Sequence, residues 1–192
     1  MRVELPEGLE YIGTQCFCNC GLEEIRFPAS LKVVGFEAFY GCDELYYAEL
    51  NEGLEVLGEK WNDRGNEFRG KVFAESGIRG IRIPSPLRKI EVQTFYGCKD
   101  LEIVELSEGL EVIGAGAFAE SGIESVALPQ STRAIRGGAF AACEHLRSVS
   151  LNEGLEVLGE EEEYRGILHC GCVFIDSALD SIVVPSTVKV AG

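Results

Sequence analysis

The stretch LSEGLEVIGAGAFAESGIESV, Leu106 to Val126, recurs in variant form from one end of the chain to the other. Aligned on its opening leucine, the copies begin at Leu5, Phe27, Leu50, Ile83, Leu106, Leu128, Leu151 and Val184, at steps of 22, 23, 33, 23, 22, 23 and 33 residues. Fixed apolar positions within such a period mark a solenoid, in which each unit buries its apolar face only against its neighbours. Seven of the ten phenylalanines share one column: Phe17, Phe39, Phe73, Phe95, Phe118, Phe140 and Phe174. A second column runs Ile12, Val34, Leu57, Ile90, Ile113, Ile135, Leu158, and a third runs Leu22, Leu45, Ile78, Leu101, Ile123, Leu146, Leu179. These are internal ladders, which leave no free pattern for a cofactor box.

Each copy reads the same way locally. LEIVEL, Leu101 to Leu106, alternates apolar and polar residues, the period of a strand with one buried side. LPEG, FPAS, IPSP, LPQS and VPST follow, with proline in the second place and, in the odd copies, glycine in the fourth, which predicts a type I turn. A short second strand comes next, as in GLEVIG, and the AF-x-x-C/S segment predicts a tight helical or 3₁₀ turn. Stacked copies then form parallel ladders at about 4.8 Å per repeat, so eight copies span about 34 Å. The 192 residues are expected to form one continuous repeat domain. The half-repeat VPSTVKVAG at the end reads as an unlikely natural cap, so the chain is expected to be a fragment of a longer protein.

Charge adds a second period. Five residues after each opening position stand Glu10, Lys32, Glu55, Arg88, Glu111, Arg133, Glu156 and Lys189, alternating in sign throughout. Neighbouring like charges would repel in a parallel stack, so the alternation favours one register and makes a pair of repeats the true unit. A longer duplication lies above it: residues 5–82 superimpose on 106–183 at a constant offset of 101. Each half carries 11 extra residues at the same place, Glu59 to Arg69 and Glu160 to Cys170, expected to protrude from the same side about 19 Å apart.

The pattern L-P-x-x-L-x-x-I-G-x-x-A-F-x-x-C-x-x-L-x-x-V, seen in LPEGLEYIGTQCFCNCGLEEI (Leu5 to Ile25) and LPQSTRAIRGGAFAACEHLRSV (Leu128 to Val149), resembles the BspA-like class of leucine-rich repeats over essentially the whole chain. The resemblance implies a leucine-rich-repeat superhelix of α/β to mainly β class, with parallel strands and short helical or 3₁₀ turns. It also implies a surface or secreted bacterial protein that adheres to matrix or host proteins. Three features depart from it: no signal peptide, no visible anchor, and Thr132 where a leucine is expected. A localisation at the cell surface therefore requires a longer exported chain.

Composition narrows the function further. A formal charge of -15 repels phosphate backbones and anionic headgroups, which disfavours nucleic acid and acidic membranes as partners. No apolar run approaches the roughly 20 residues that span a bilayer. No G-x-S-x-G elbow, P-loop or H-E-x-x-H occurs, and G-A-G-A-F at Gly114 lacks a third glycine, so no enzyme and no cofactor are expected. Cys20, Cys42, Cys98 and Cys143 share a column with Ser76, Ser121 and Ser177, which selects for small packed side chains. Cys18-x-Cys20 and His169-Cys170-x-Cys172 offer soft ligands but lie six repeats apart, about 29 Å, and lack paired C-x-x-C spacing, so no metal site is assigned.

The two inserts are the candidate binding elements. EKWNDRGNEFR carries Trp61, Arg64, Phe68 and Arg69, and EEEEYRGILHC carries Tyr164, Arg165 and His169, residue types enriched at protein-binding hot spots. The same aromatics can equally fold back as a lid on the solenoid. Arg64 with Gly65 and Arg165 with Gly166 suggest a shared loop conformation. The expected function is a non-catalytic protein-binding and adhesion module that uses the strand face, the inserts or both to hold a protein ligand of host-matrix or surface type. An intracellular scaffold or spacer, or a designed or consensus repeat protein, is the alternative.

Overall fold

The computed structural model describes residues 1–164 and 167–192, and for 162–164 and 167–169 the backbone alone. The alternating segments form one strand per coil on one side of a β-solenoid of about seven turns. Glu24–Arg26, Tyr47–Glu49, Gly80–Ile83 and Ile103–Leu106 make a parallel four-stranded sheet, and Ser125–Ala127 pairs with Ser148–Ser150 beyond it. The second strands stack separately as Tyr11–Ile12, Val33–Gly35 and Val56–Glu59, and as Lys89–Ile90, Val112–Ile113, Ala134–Arg136, Val157–Glu160 and Val190–Ala191. Between the sheets run the ladders read from the sequence. Neighbouring rings of the phenylalanine column stack from Phe17 to Phe174 at centroid separations of 5.2 to 5.8 Å, within 13° of parallel. The stack passes both inserts unbroken, through Phe39 to Phe73 and Phe140 to Phe174.

The phenylalanine segment departs from the expected helical or 3₁₀ turn. Among the described residues no helix of either kind forms there. Successive N–H groups instead alternate in destination. Gln93, Phe95 and Gly97 donate to Ala115, Ala117 and Ala119 of the next coil at 2.8 to 2.9 Å, whereas Thr94, Tyr96 and Cys98 donate three residues back within their own coil. A helix would consume every donor internally, and half are needed to join the coils. The residues two before and two after the ring therefore take left-handed φ, as at Gln93 (52°), Glu75 (57°) and Gly97 (69°).

The proline turns also shift from expectation. Leu9 donates to Pro6 and Leu31 to Pro28, so proline occupies the first turn position. Gly8 and Gly109 then fall third, at φ of 96° and 108°, as a type II turn requires. Around these turns the odd and even coils interlock. Lys32, Arg88 and Arg133 reach the carbonyl oxygens of Gly53, Gly109 and Gly154 one coil on, at 3.0 to 3.3 Å. The Asn51 amide donates to Ala29 and Leu31, and Asn152 to Gln130 and Thr132. Thr132, the departure from leucine, is buried with its hydroxyl donating to Leu110 at 3.0 Å.

The alternating charge column is physically contiguous: Lys32 donates its amide to Glu10, Glu55 to Lys32, Arg133 to Glu111 and Glu156 to Arg133 at 2.8 to 2.9 Å. Ion pairs across it are exposed, Lys32 to Glu55 at 3.5 Å and Lys189 to Glu156 at 2.7 Å, so solvent screens each of them and their clearer role is to favour one register.

Candidate functional site

Each insert is an antiparallel two-stranded hairpin. In the first, Trp61–Asp63 pairs with Asn66–Phe68 across Arg64 and Gly65, whose φ values of 48° and 86° are those of a type I′ hairpin turn. Glu162–Tyr164 pairs with Ile167–His169 in the second. Both leave the solenoid at the same device. The ladder slips by one residue opposite Gly35 in the first case and opposite Arg136 in the second, at the left-handed glycines Gly58 (99°) and Gly159 (89°). The extra unpaired residue bends the strand outward.

The residues of the first hairpin divide in two. Trp61 lies over the buried Phe36, 14° from parallel at 6.4 Å, and tilts against Phe68 at 5.2 Å, while Phe68 meets Phe36 at 5.4 Å. This face therefore rests on the solenoid, yet Trp61 keeps 38% of its surface exposed. Arg69 is 18% exposed and held at the base, 2.9 Å from Glu67 and 3.3 Å from Glu91. Lys60 closes on Glu67 at 3.0 Å. Arg64 stands exposed at the tip. Of the second hairpin, Arg165 lies outside the described residues, and Tyr164 and His169 fall in its two strands with their side chains undescribed.

A second surface lies on the first-strand sheet, where a groove of about 620 Å³ runs across three coils. Tyr46 and Tyr47 stand on its first coil, Arg79, Gly80 and Arg82 on the next, and Ile103 with Glu105 on the third. Tyr46, Tyr47 and Ile103 are 40%, 38% and 62% exposed. Polar contacts fix most of the rim. Tyr46 donates to Glu24 at 2.5 Å, Tyr47 to Glu49 at 3.1 Å, and Arg82 to Glu52 at 2.6 Å. The Tyr46 phenol is held above its ordinary range, first by that bond to Glu24 and then by desolvation. Arg26 lies over the Tyr47 ring at 5.4 Å and Arg79 over Tyr46 at 6.0 Å. The aromatic and arginine side chains are thus pre-positioned, the arrangement that lowers the entropic cost of docking.

Sequence reading missed this groove because its residues occupy the variable outward columns and lie up to 59 positions apart. A glycine inside an alternating strand was the available signal.

The cysteine column is packed as expected, with an added bond. Cys42, Cys98 and Cys143 are buried and donate to the carbonyls of Phe17, Phe73 and Phe118 at 3.0, 2.9 and 3.1 Å. Among the described residues no three His, Cys, Asp or Glu side chains gather as a metal ligand set, and no helix is long and apolar enough to cross a membrane.

No curated protein matches the chain. Among solved structures, a leucine-rich repeat protein of T. pallidum is 28% identical with a TM-score of 0.66, over 78% of this chain and 66% of that one. A leucine-rich repeat protein from Bacteroides ovatus shares the fold at 23% identity with a TM-score of 0.59, over 97% of this chain and 55% of that one. The chain thus spans less than two thirds of the length of each. The family model of the BspA type leucine-rich repeat region matches in six copies across residues 1–61 and 66–192, so the chain belongs to the BspA-type leucine-rich repeat family.

Proposed function

We propose that the chain is a non-catalytic protein-binding module of a bacterial surface protein, and that it engages its ligand through the first-strand face with the two hairpins as flanking contacts. The observation that carries this reading is the groove at Tyr46, Tyr47, Arg79 and Ile103: exposed aromatic, arginine and aliphatic side chains together on a chain of net charge -15. Surface tyrosines and arginines anchored by neighbours are the residue types that dominate protein-binding energies. Trp61, Arg64, Phe68 and Arg69, with Tyr164, Arg165 and His169 on the other hairpin, form the second contact region of the proposal. Leucine-rich repeat families are typically non-catalytic.

The unbroken ring stack from Phe17 to Phe174 favours one other reading, a rigid spacer whose repeats only hold flanking segments apart. Biolayer interferometry against a panel of extracellular-matrix and host serum proteins separates the two. The comparison needs the wild-type chain, a Tyr46→Ala/Tyr47→Ala/Ile103→Ser variant, and a variant lacking residues 59–69 and 160–170. Saturable binding weakened at least tenfold by the strand-face substitutions supports the module and its site. Binding lost only with the hairpins moves the site to them, and absence of binding to every panel member favours the spacer.

A further inference from the structure

Gly80 has no evident structural duty. Its φ is not left-handed, and a Cβ built on it would meet nothing nearer than the Ile103 carbonyl oxygen and Cβ, at 3.7 and 3.8 Å. A side chain would fit there, so the glycine leaves a vacancy that folding does not require. Glycine inside a strand without such a duty often marks a place where a ligand approaches closely.

The vacancy has defined walls. In the outward column of the sheet, Gly80 pairs in register with Tyr47 on one side and Ile103 on the other. Those flanking strands are about 9.6 Å apart, two ladder spacings. Allowing for the thickness of the walls themselves, about 6 Å remains, room for one ring or branched aliphatic group but not for a helix about 10 Å across. Both walls are apolar and exposed.

Charge at the rim is unequal. Arg82 is held by Glu52, and Arg26 by Glu49 at 3.2 Å. Arg79, adjacent to Gly80, stacks on Tyr46, and among the described residues no carboxylate is placed against its guanidinium. Glu102 adjoins Arg79 on the next coil, its amide donating to the Arg79 carbonyl at 3.0 Å, but among the described residues no ion pair joins the two side chains, and Glu24, one row over, is engaged by the Tyr46 hydroxyl. A cation already oriented by a ring face and still short of an anionic partner complements a carboxylate.

The internal duplication supplies a comparison within the chain. At the offset of 101, Tyr46, Tyr47, Gly80 and Arg82 correspond to Arg147, Ser148, Ser181 and Val183, and these also line a groove, of about 450 Å³. The scaffold columns repeat between the halves. The notch does not: its glycine and both tyrosines are replaced.

Resting on the protein-binding reading above, we propose that the Gly80 notch is the specificity pocket of the strand face. It takes one aromatic or branched aliphatic side chain of a partner protein segment, with an adjacent carboxylate of that segment paired to Arg79.

The test is selection of a phage-displayed library of random linear 12-residue peptides on immobilised wild-type protein, followed by fluorescence polarisation of the leading synthetic peptides. Three variants are compared: Gly80→Leu to fill the notch, Arg79→Glu to invert its charge, and Gly80→Ala as a milder filling that the open space tolerates. The expected consensus is a large apolar residue beside Asp or Glu. Gly80→Leu weakens the leading peptide at least tenfold, Gly80→Ala less, and Arg79→Glu shifts the preference from acidic to basic neighbours. A leading peptide that binds Gly80→Leu within twofold of wild type, or tolerates loss of its carboxylate, overturns the notch. Failure to enrich any peptide also overturns it. The module reading fails separately: protein-panel binding that survives Gly80→Leu unchanged removes the pocket and leaves the module, whereas a wild-type chain that binds neither a panel protein nor any peptide removes both.

Discussion

The Sγ of Cys98 donates to the carbonyl oxygen of Phe73 at 2.9 Å, across the boundary between two coils. The same bond joins Cys143 to Phe118, and Ser121 lies 3.5 Å from the Cys143 sulfur, so the column that accepts Cys or Ser is a column of small hydrogen-bond donors. Burial pushes the Cys98 and Cys42 thiols up to about 11. Their native pKa values exceed those of the unfolded chain, so their contribution to stability is complete below about pH 9. It is lost as pH rises toward about 11, because the unfolded state releases its protons first. Stability in urea should therefore fall between pH 9 and 11. Cys98→Ser should flatten that fall while costing less than Cys98→Ala, which removes the thiol bond and leaves the Phe73 carbonyl with the Ser76 amide alone, a loss of about 0.5 to 1.5 kcal/mol. At pH 8 a thiol reagent should label the exposed Cys16 and Cys170 promptly, and Cys98 only on unfolding. Equal labelling rates would contradict the packing.

Gly58 carries the departure of the first hairpin. At its φ of 99° a Cβ would lie 2.7 Å from the Cα of Gly70, so both backbone strain and a clash with main chain follow from Gly58→Ala. The expected loss is about 1 to 3 kcal/mol in chemical denaturation. Gly65→Ala at the hairpin tip meets nothing within 4 Å, so only its φ of 86° is strained. It should cost less and leave the solenoid intact. If the two substitutions proved equal, the glycine contact at the hairpin base would not be a structural constraint.

The phenylalanine and leucine columns were legible because each position must suit the same neighbour in every coil, so the chain repeats the requirement seven times over. The strand at Leu101 to Leu106 was legible for the same reason, since its alternation follows burial directly. The turn at AF-x-x-C was not. Whether the N–H of Phe95 bonds inward or to Ala117 depends on a coil that arrives 22 residues later, and local spacing carries no trace of it. Trp61, Arg64, Phe68 and Arg69 announced a protruding segment through composition. The stacking of Trp61 on Phe36 did not show, because Phe36 lies outside the repeating ring column. The notch at Gly80 was the least visible, being defined by a missing side chain between residues of two other coils.

Arg133 links the charge alternation to the turns. Its Nη1 donates to Gln130 and Gly154, both at 3.0 Å, and its side chain stands in the column between Glu111 and Glu156. Arg133→Glu removes the bonds and places three carboxylates in succession. A destabilisation of about 1 to 2 kcal/mol is expected, part of which 1 M NaCl should restore. Arg133→Met should lose only the salt-independent part. Identical salt responses for the two variants would show that the alternation has no electrostatic role.

Gly80→Ala separates a structural role of this glycine from a recognition role. Glycine costs a strand about 0.5 to 1 kcal/mol relative to alanine through the freedom it has in the unfolded chain. Most glycines of this fold offset that cost, Gly70 for instance, whose added Cβ would lie 2.0 Å from the Val92 carbonyl oxygen. Gly80 has neither a left-handed φ nor a close neighbour, so its replacement by alanine should raise stability by about that amount in urea denaturation. A gain would mean that the chain forgoes stability at the centre of its strand face, where Tyr47 and Ile103 stand apart. A loss would mean that the glycine serves the backbone after all, and the vacancy between those two side chains would then be a by-product of folding.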